Sequence, residues 1–245
     1  MGWMVLGIVV VALLVFCGGG GFAAYWLVGG AVEQARGAAA RVQAINNAKQ
    51  ISLALMNYQF QHKYFPASAT TDPTGKPLLS WRVTLLPFIG YESLYNQFHH
   101  DEPWDSSHNR GLIGQMPPIY GSPPVQSSAG MTNWLAVIGP GSVIASHNNL
   151  NGDGSLMPGM SPAKIIDGLT NTIIIVEADR AVIWTKPDDY QYDQANPALG
   201  LGSLRQGQFL AAFADASVRT IPISVDAENM RRAFSANDGQ PLQLP

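Results

Sequence analysis

The chain has 245 residues, with 14 Lys and Arg against 17 Asp and Glu and a formal net charge of −3. Its cations are few and nowhere clustered, so no basic track follows a phosphate backbone, and nucleic acid is not an expected partner. The one cysteine, Cys17, lies inside an apolar run, which leaves the rest of the chain without a disulfide or a thiolate metal site.

Residues 3–32 carry no charged side chain. A hydrocarbon core about 30 Å thick takes roughly 20 apolar residues in helix to cross. Trp3 to Val28 supplies them, with Trp3, Tyr25 and Trp26 near the ends, where aromatic rings favour the headgroup level. The expectation is a transmembrane anchor over residues 1–32, with membrane lipid as its partner. A cleaved signal peptide needs a basic segment before its apolar core, and no Lys or Arg precedes this one. A lipoprotein acceptor at Cys17 is disfavoured by bulky Phe16 before it. Gly18 to Gly21 weaken the helix at midspan, each by ~1 kcal/mol in water. Arg36, Arg41 and Lys49 follow the anchor, a bias that taken alone puts the next domain in the cytoplasm.

From Ala31 to about His62 there is no proline and a single glycine, Gly37. Ala44, Ala48, Ile51, Leu55 and Tyr58 form one helical stripe, which predicts an amphipathic helix over 33–62 continuing from the anchor, closed by Phe65-Pro66. Residues 63–245 then read as one α+β domain. Trp81, Val83, Leu85, Leu86, Phe88 and Leu94 are predicted core, with Pro87 breaking any single helix there. The polar stretch 99–130 reads as an ordered loop held down by Trp104, Ile113, Met116 and Tyr120. Strands are predicted at Trp134 to Ile138, Ile173 to Glu177 and Ala181 to Trp184. Phe209 to Phe213 and Ser217 to Ile221 read as an antiparallel hairpin around Asp215-Ala216, and Asp226 as the cap of a short helix through Met230 to Phe234.

Several motifs stand in a fixed order: Asn46-Asn47-Ala48-Lys49-Gln50-Ile51, Leu53-Ala54-Leu55-Met56-Asn57-Tyr58, Phe65-Pro66, Ser80-Trp81-Arg82-Val83, Leu85-Leu86-Pro87-Phe88, Asp101-Glu102-Pro103-Trp104-Asp105, His108-Asn109, Asp167-Gly168 with Thr170-Asn171-Thr172, Val176-Glu177 and Trp184-Thr185-Lys186-Pro187. Together they resemble domain of unknown function family 1559. The resemblance implies a pilin-like or pseudopilin-like surface protein of planctomycete bacteria, with an N-terminal membrane helix, no established enzymatic activity and a globular part outside the cytoplasmic membrane. On that ground the domain is expected to be extracytoplasmic despite the charge bias.

The departures from the family are as specific as the matches. Many relatives begin with a basic prepilin leader, Gly-Phe-Thr-Leu and a Glu at the fifth mature position, whereas Met1 to Val32 has neither the basic segment nor the Glu. Cleavage by a prepilin peptidase is therefore not expected, unless the true start lies upstream. Where relatives show a His, nine residues and Asp-Gly in a hairpin, this chain has Arg205, Asp215 and Ala216. A turn that needs positive φ would strain Ala216 by about 1 kcal/mol, so a different turn is expected. Cysteines that many relatives carry correspond to Ala44 and Ser122, and both are absent together, as the resemblance implies for a normally paired couple.

Two loops hold the residue types of metal sites. His99, Asp101 and His108 offer imidazole and carboxylate, but with Pro103 between them their spacing fits no ligand rule. Asn149, Asn151 and Asp153 copy the first half of a calcium loop, yet Met160 stands where the bidentate carboxylate belongs. Turn-capping is the default reading for both. No Gly-x-Ser-x-Gly elbow exists, and Glu177 would need Arg180 or Asp179 to tune it into a general base. The expected protein is thus non-enzymatic and without a cofactor, calcium being the one ion that a loop half-matches. It is read as a single-pass, pilin-like surface or periplasmic structural protein that self-associates through its N-terminal helix; the alternative is a membrane-displayed ligand- or calcium-binding domain. The fold class is α+β, a long helix packed on an antiparallel sheet.

Overall fold

The computed structural model describes residues 2–123, 128–149, 151 and 156–244, with residues 2–31 as helical backbone only. The first element, α1, is one helix over Gly2–His62. The expected anchor from Trp3 to Val28 lies outside the residues whose side chains are described. Among the described residues, no helix is long and apolar enough to cross a membrane. Backbone contacts divide the chain into two units, residues 1–42 and 43–245.

In the second unit α1 presents the expected stripe. Ala44, Ala48, Ile51 and Leu55 are buried, and Tyr58 is half-buried against the same core. The helix ends where Lys63 turns left-handed at φ 72° and its N–H bonds Gln59 O at 2.7 Å, three residues before Pro66. Then follow β1 (Ala69–Thr71), β2 (Pro77–Ser80), α2 (Trp81–Thr84), α3 (Glu92–Tyr95) and α4 (Ser107–Arg110). Ser80 caps α2 through its side chain, and Pro87 sits in a separate 3-10 turn, as its missing N–H requires. Within the predicted loop, residues 99–123 are laid over the body as expected: Trp104 N–H reaches Leu78 O, Tyr120 is buried, and Trp184 Nε1 donates to Ile113 O.

The main sheet contains β3 (Met131–Ile138), β4 (Ile173–Ile183), β5 (Tyr190–Gln191), β6 (Gln208–Phe213) and β7 (Val218–Pro222), in the order β5-β3-β4-β6-β7. The runs 173–177 and 181–183 prove to be parts of one strand, β4, with a register shift opposite Thr132 and Trp134, and Trp184 falls just past its end. The sheet is mixed rather than purely antiparallel. After β4 the chain turns back along the free side of β3, so β5 pairs with it in parallel through Val137↔Tyr190 and Ile138↔Gln191.

Successive residues alternate between two cores, as the twofold repeat of a strand demands. Trp134, Ala136, Ile138, Leu210 and Ala212 join the core that holds the α1 stripe, while Leu135, Val137, Phe209, Ala211 and Phe213 join a second. The second is closed by α5 (Ala227–Phe234), which buries Met230, Ala233 and Phe234 and is capped by Asp226 as predicted. Both faces of the sheet are thus covered.

The β6–β7 hairpin keeps the strained turn: Ala216 adopts φ 66°, and Asp215 Oδ1 accepts from Ser217 N at 2.9 Å. The expected change of turn type does not occur, because five strand residues in register on each side hold the loop to that shape. Ala216→Gly is therefore expected to stabilise the body by roughly 0.5–1 kcal/mol, read as a higher urea midpoint. An unchanged or lower midpoint would show that the turn carries no strain.

Candidate functional site

The two loops singled out by residue type behave differently from a metal centre. The His99 and His108 rings stack face to face, centroids 3.6 Å apart and 2° from parallel. An imidazole coordinates in its own plane, so two parallel rings at that spacing do not converge on one ion. His99 Nδ1 already meets Glu102 Oε1 at 3.0 Å and His108 Nε2 meets Gln97 O at 2.8 Å, while Asp101 is exposed. The residue that organises the loop is Asn109, fully buried: its Oδ1 accepts from His99 N, and its Nδ2 donates to the carbonyls of His99, Glu102 and Pro103. Of the calcium-like stretch, Asn149 takes part in turn bonds with Ser146 and Met157, Asn151 is exposed, and Asp153 lies outside the described residues. Among the described residues, no group of three His, Cys, Asp or Glu side chains is placed to hold a metal.

Glu177 does not end its strand in solvent. It is buried within β4, where Oε1 accepts from Ser122 Oγ and, at 2.7 Å, from Arg205 Nη2, while Oε2 accepts from Arg205 Nε. Arg205 supplies the counter-charge expected of Arg180, which instead pairs with Asp188 at 2.7 Å. Asp179 takes the N–H groups of Ser203 and Leu204. With both its oxygens engaged, Glu177 is a fastening of the 203–205 turn to the sheet. Ser122 is buried, as is Ala44. One turn after Ala44, Asn47 Nδ2 donates to Pro118 O and Gly121 O, seating the helix stripe on the segment that leads to Ser122.

The densest buried polar chemistry is a pair that residue type alone did not reveal. Arg82, on α2, is fully buried. Its Nε and Nη2 donate to Trp134 O at 3.0 and 2.8 Å, Nη1 donates to Ser80 Oγ at 2.8 Å, and Nη2 meets Asp189 Oδ1 at 2.9 Å. Asp189 Oδ1 also accepts from Trp81 Nε1 and from Ala136 N, both at 2.9 Å. Trp134 O and Ala136 N are the groups that β3 offers to the side where β5 has not yet begun, so guanidinium and carboxylate stand in for a neighbouring strand. Tyr120 adds a bond from its hydroxyl to Arg82 O at 2.7 Å. Burial pushes the Asp189 carboxyl up against the pull of Arg82, and burial pulls Arg82 down from its usual value. The Ser-Trp-Arg-Val motif signalled importance here without signalling its partner.

On the outer side of this pair lies a recess of about 170 Å³. Its walls include Ser68, Ser146, His147, Asn148, Asp189 and Gln191. The 143–147 segment runs beside 65–69, joined by Ser68 N to Ala145 O at 2.8 Å. The His147 backbone N–H donates to Ser68 Oγ at 2.8 Å, and the same oxygen lies 3.1 Å from His147 Nδ1. Asp188, next to Asp189, is held by Arg180 and Lys186; burial works to raise its carboxyl, and the bonds from Lys186 and Arg180 outweigh it and keep it below the ordinary carboxylate value.

These features define an α+β body with a long N-terminal helix and a mixed sheet, organised by buried ion pairs. Residues 33–198 match the model of the family described as "Protein of unknown function (DUF1559)", and the chain belongs to that family. All the motifs quoted for the resemblance fall within the matched residues, while Arg205 and the β6–β7 hairpin lie beyond them. No curated protein and no solved structure gives a significant match to the chain.

Proposed function

We propose that the chain is a non-enzymatic, membrane-anchored structural protein of the cell surface or periplasm, pilin-like in build, whose copies associate side by side through the N-terminal helix. The charge-free run 3–32 supplies the anchor in this reading, and the family resemblance supports a body outside the cytoplasmic membrane. The observation that carries it is on the outward side of α1. The stripe of Ala44, Ala48, Ile51 and Leu55 is used up by the body, yet Leu53 and Phe60 remain 45% and 76% exposed. They stand seven residues apart on one line of the helix, the spacing of a helix-to-helix seam. Membrane lipid and a second copy are then the partners.

Mass spectrometry of the mature amino terminus, combined with size analysis of cell-envelope preparations, tests the reading. An intact N-terminal run in the membrane fraction is expected, together with high-mass assemblies that disappear in Leu53→Asp/Phe60→Asp. A chain trimmed ahead of Glu33 and recovered in the aqueous fraction refutes the anchor. Assemblies unaffected by the double variant refute the seam.

A further inference from the structure

Beside the last turns of α1 lies a groove of about 460 Å³, within the range of about 300–1,000 Å³ typical of ligand pockets. Aromatic rings form its walls: Tyr58 and His62 from the helix, Phe88 from the 3-10 turn 86–89 and Tyr95 from α3. We infer that this groove binds an extended, proline-containing segment of another protein. Tyr58 closes one of the sequence motifs quoted above and Pro87-Phe88 closes another, and the fold brings both to this wall.

The rings are set at angles to one another. Tyr58 stacks on His62 with centroids 4.2 Å apart, and Phe88 stands at 65° to Tyr58 and 66° to His62. Such an arrangement spends ring faces on neighbouring rings and leaves an angled notch, where a sugar would need a flat, open platform. A puckered pyrrolidine ring fits a notch. Tyr95 is backed by the His100 ring at 4.3 Å, so this wall too is held in place before a ligand arrives. Aromatic-lined grooves of this kind are a recurring means of recognising proline-rich chains.

The polar groups sort the ligand further. No Asp, Glu, Lys or Arg lines the groove, so the segment that lies in it is uncharged. Among the described residues, the hydroxyls of Tyr58, Thr84 and Tyr95 and the amide of Gln61 have no hydrogen-bond partner in the protein. Each of them can donate. Burial first, and then neighbouring Tyr64 and Tyr95, pushes the Tyr58 hydroxyl up to about 12, so it keeps its proton at neutral pH. His62 serves as wall alone. A polyproline II chain is the complement: it makes no internal hydrogen bonds, its prolines bring no N–H, and its carbonyls are left to accept. A helical ligand would arrive with those carbonyls already taken. The extended chain is also largely ordered beforehand, so little entropy opposes its binding. This inference goes beyond the structural role proposed above and holds whether or not the helix joins copies.

The test uses the full chain in a zwitterionic detergent, titrated with a blocked oligoproline of about eight residues and followed by calorimetry and by tyrosine ring signals in NMR. A Gly/Ser peptide of equal length, cellobiose and chitobiose are the comparisons. The expected result is saturable binding of the oligoproline that moves the Tyr58 and Tyr95 signals, with no saturation by the Gly/Ser peptide. Gln61→Ala combined with Tyr95→Phe removes two donors and keeps the rings, and is expected to weaken binding about tenfold. Phe88→Leu removes the angled ring and is expected to weaken it by about as much; thermal melts of both variants separate lost binding from lost folding. Failure of the oligoproline to saturate overturns the inference, as does equal binding of the Gly/Ser peptide or an affinity unchanged in both variants. Saturation by a disaccharide alone overturns it too, by assigning the groove to sugars.

Discussion

Arg82→Met is expected to cost the body roughly 3–5 kcal/mol, because it removes one member of a buried pair and leaves the other charged and unmatched. The same change strips both donors from Trp134 O and one from Ser80 Oγ. Removing both charges, as in Arg82→Met/Asp189→Leu, is expected to restore part of the loss, since no buried charge then lacks a partner; Ala136 N still loses its acceptor, so restoration stays incomplete. The single variant also acquires a pH signature. Without the guanidinium, burial holds Asp189 further above its unfolded value near 3.9. The folded state then binds more protons than the unfolded one, and stability rises as the pH falls towards that value. Urea midpoints of the full chain at neutral and mildly acid pH measure all three expectations. A loss below about 1 kcal/mol for the single variant, or a double variant worse than the sum of its parts, would show that the pair does not hold the edge of β3.

Arg205→Met should be comparably severe. Among the described residues it leaves buried Glu177 with Ser122 Oγ as its remaining donor, and it removes one of the two fastenings of the 203–205 turn to β4, the bonds from Ser203 and Leu204 to Asp179 staying in place. The penalty is again that of an orphaned buried charge, about 3–5 kcal/mol. Arg205→Lys discriminates the mechanism. A point charge on a flexible stem cannot present two donors in one plane to the two carboxylate oxygens, so it is expected to recover less than half of the loss. Thermal melting and urea titration of the three proteins give the comparison; full recovery by Lys would reduce the contact to simple charge neutralisation.

Much of this architecture can be read in the residues because its signals are local. The helix stripe, the break at Pro87, the cap at Asp226 and the hairpin strands each depend on spacing within a dozen residues, and each stands where that spacing puts it. The parallel placement of β5 left no such trace. Two residues are too few for a periodic pattern, and their partner strand lies more than fifty positions earlier. The ion pairs were hidden for the same reason: nothing near Glu177 says that Arg205 rather than Arg180 will reach it, and nothing near Arg82 names Asp189. At His99 and His108 residue type offered two potential ligands beside a turn-capping reading; the two rings stack, and the buried Asn109 shapes the loop. The retained turn at Ala216 is the case where local strain was legible but the register that overrides it was not.

Using side chains to complete the free side of β3 has a consequence for how the chain reaches its final state. Arg82 is separated by 52 positions from the carbonyl it satisfies and by 107 from its carboxylate. Those contacts close only after long stretches of polypeptide have been gathered in, the kind of topology that slows the search. During synthesis the hydrophobic strand β3 emerges some fifty residues before Asp189 can reach it. For that interval its backbone is open to pairing with other chains, which makes the nascent molecule, rather than the finished one, the form most in need of a chaperone.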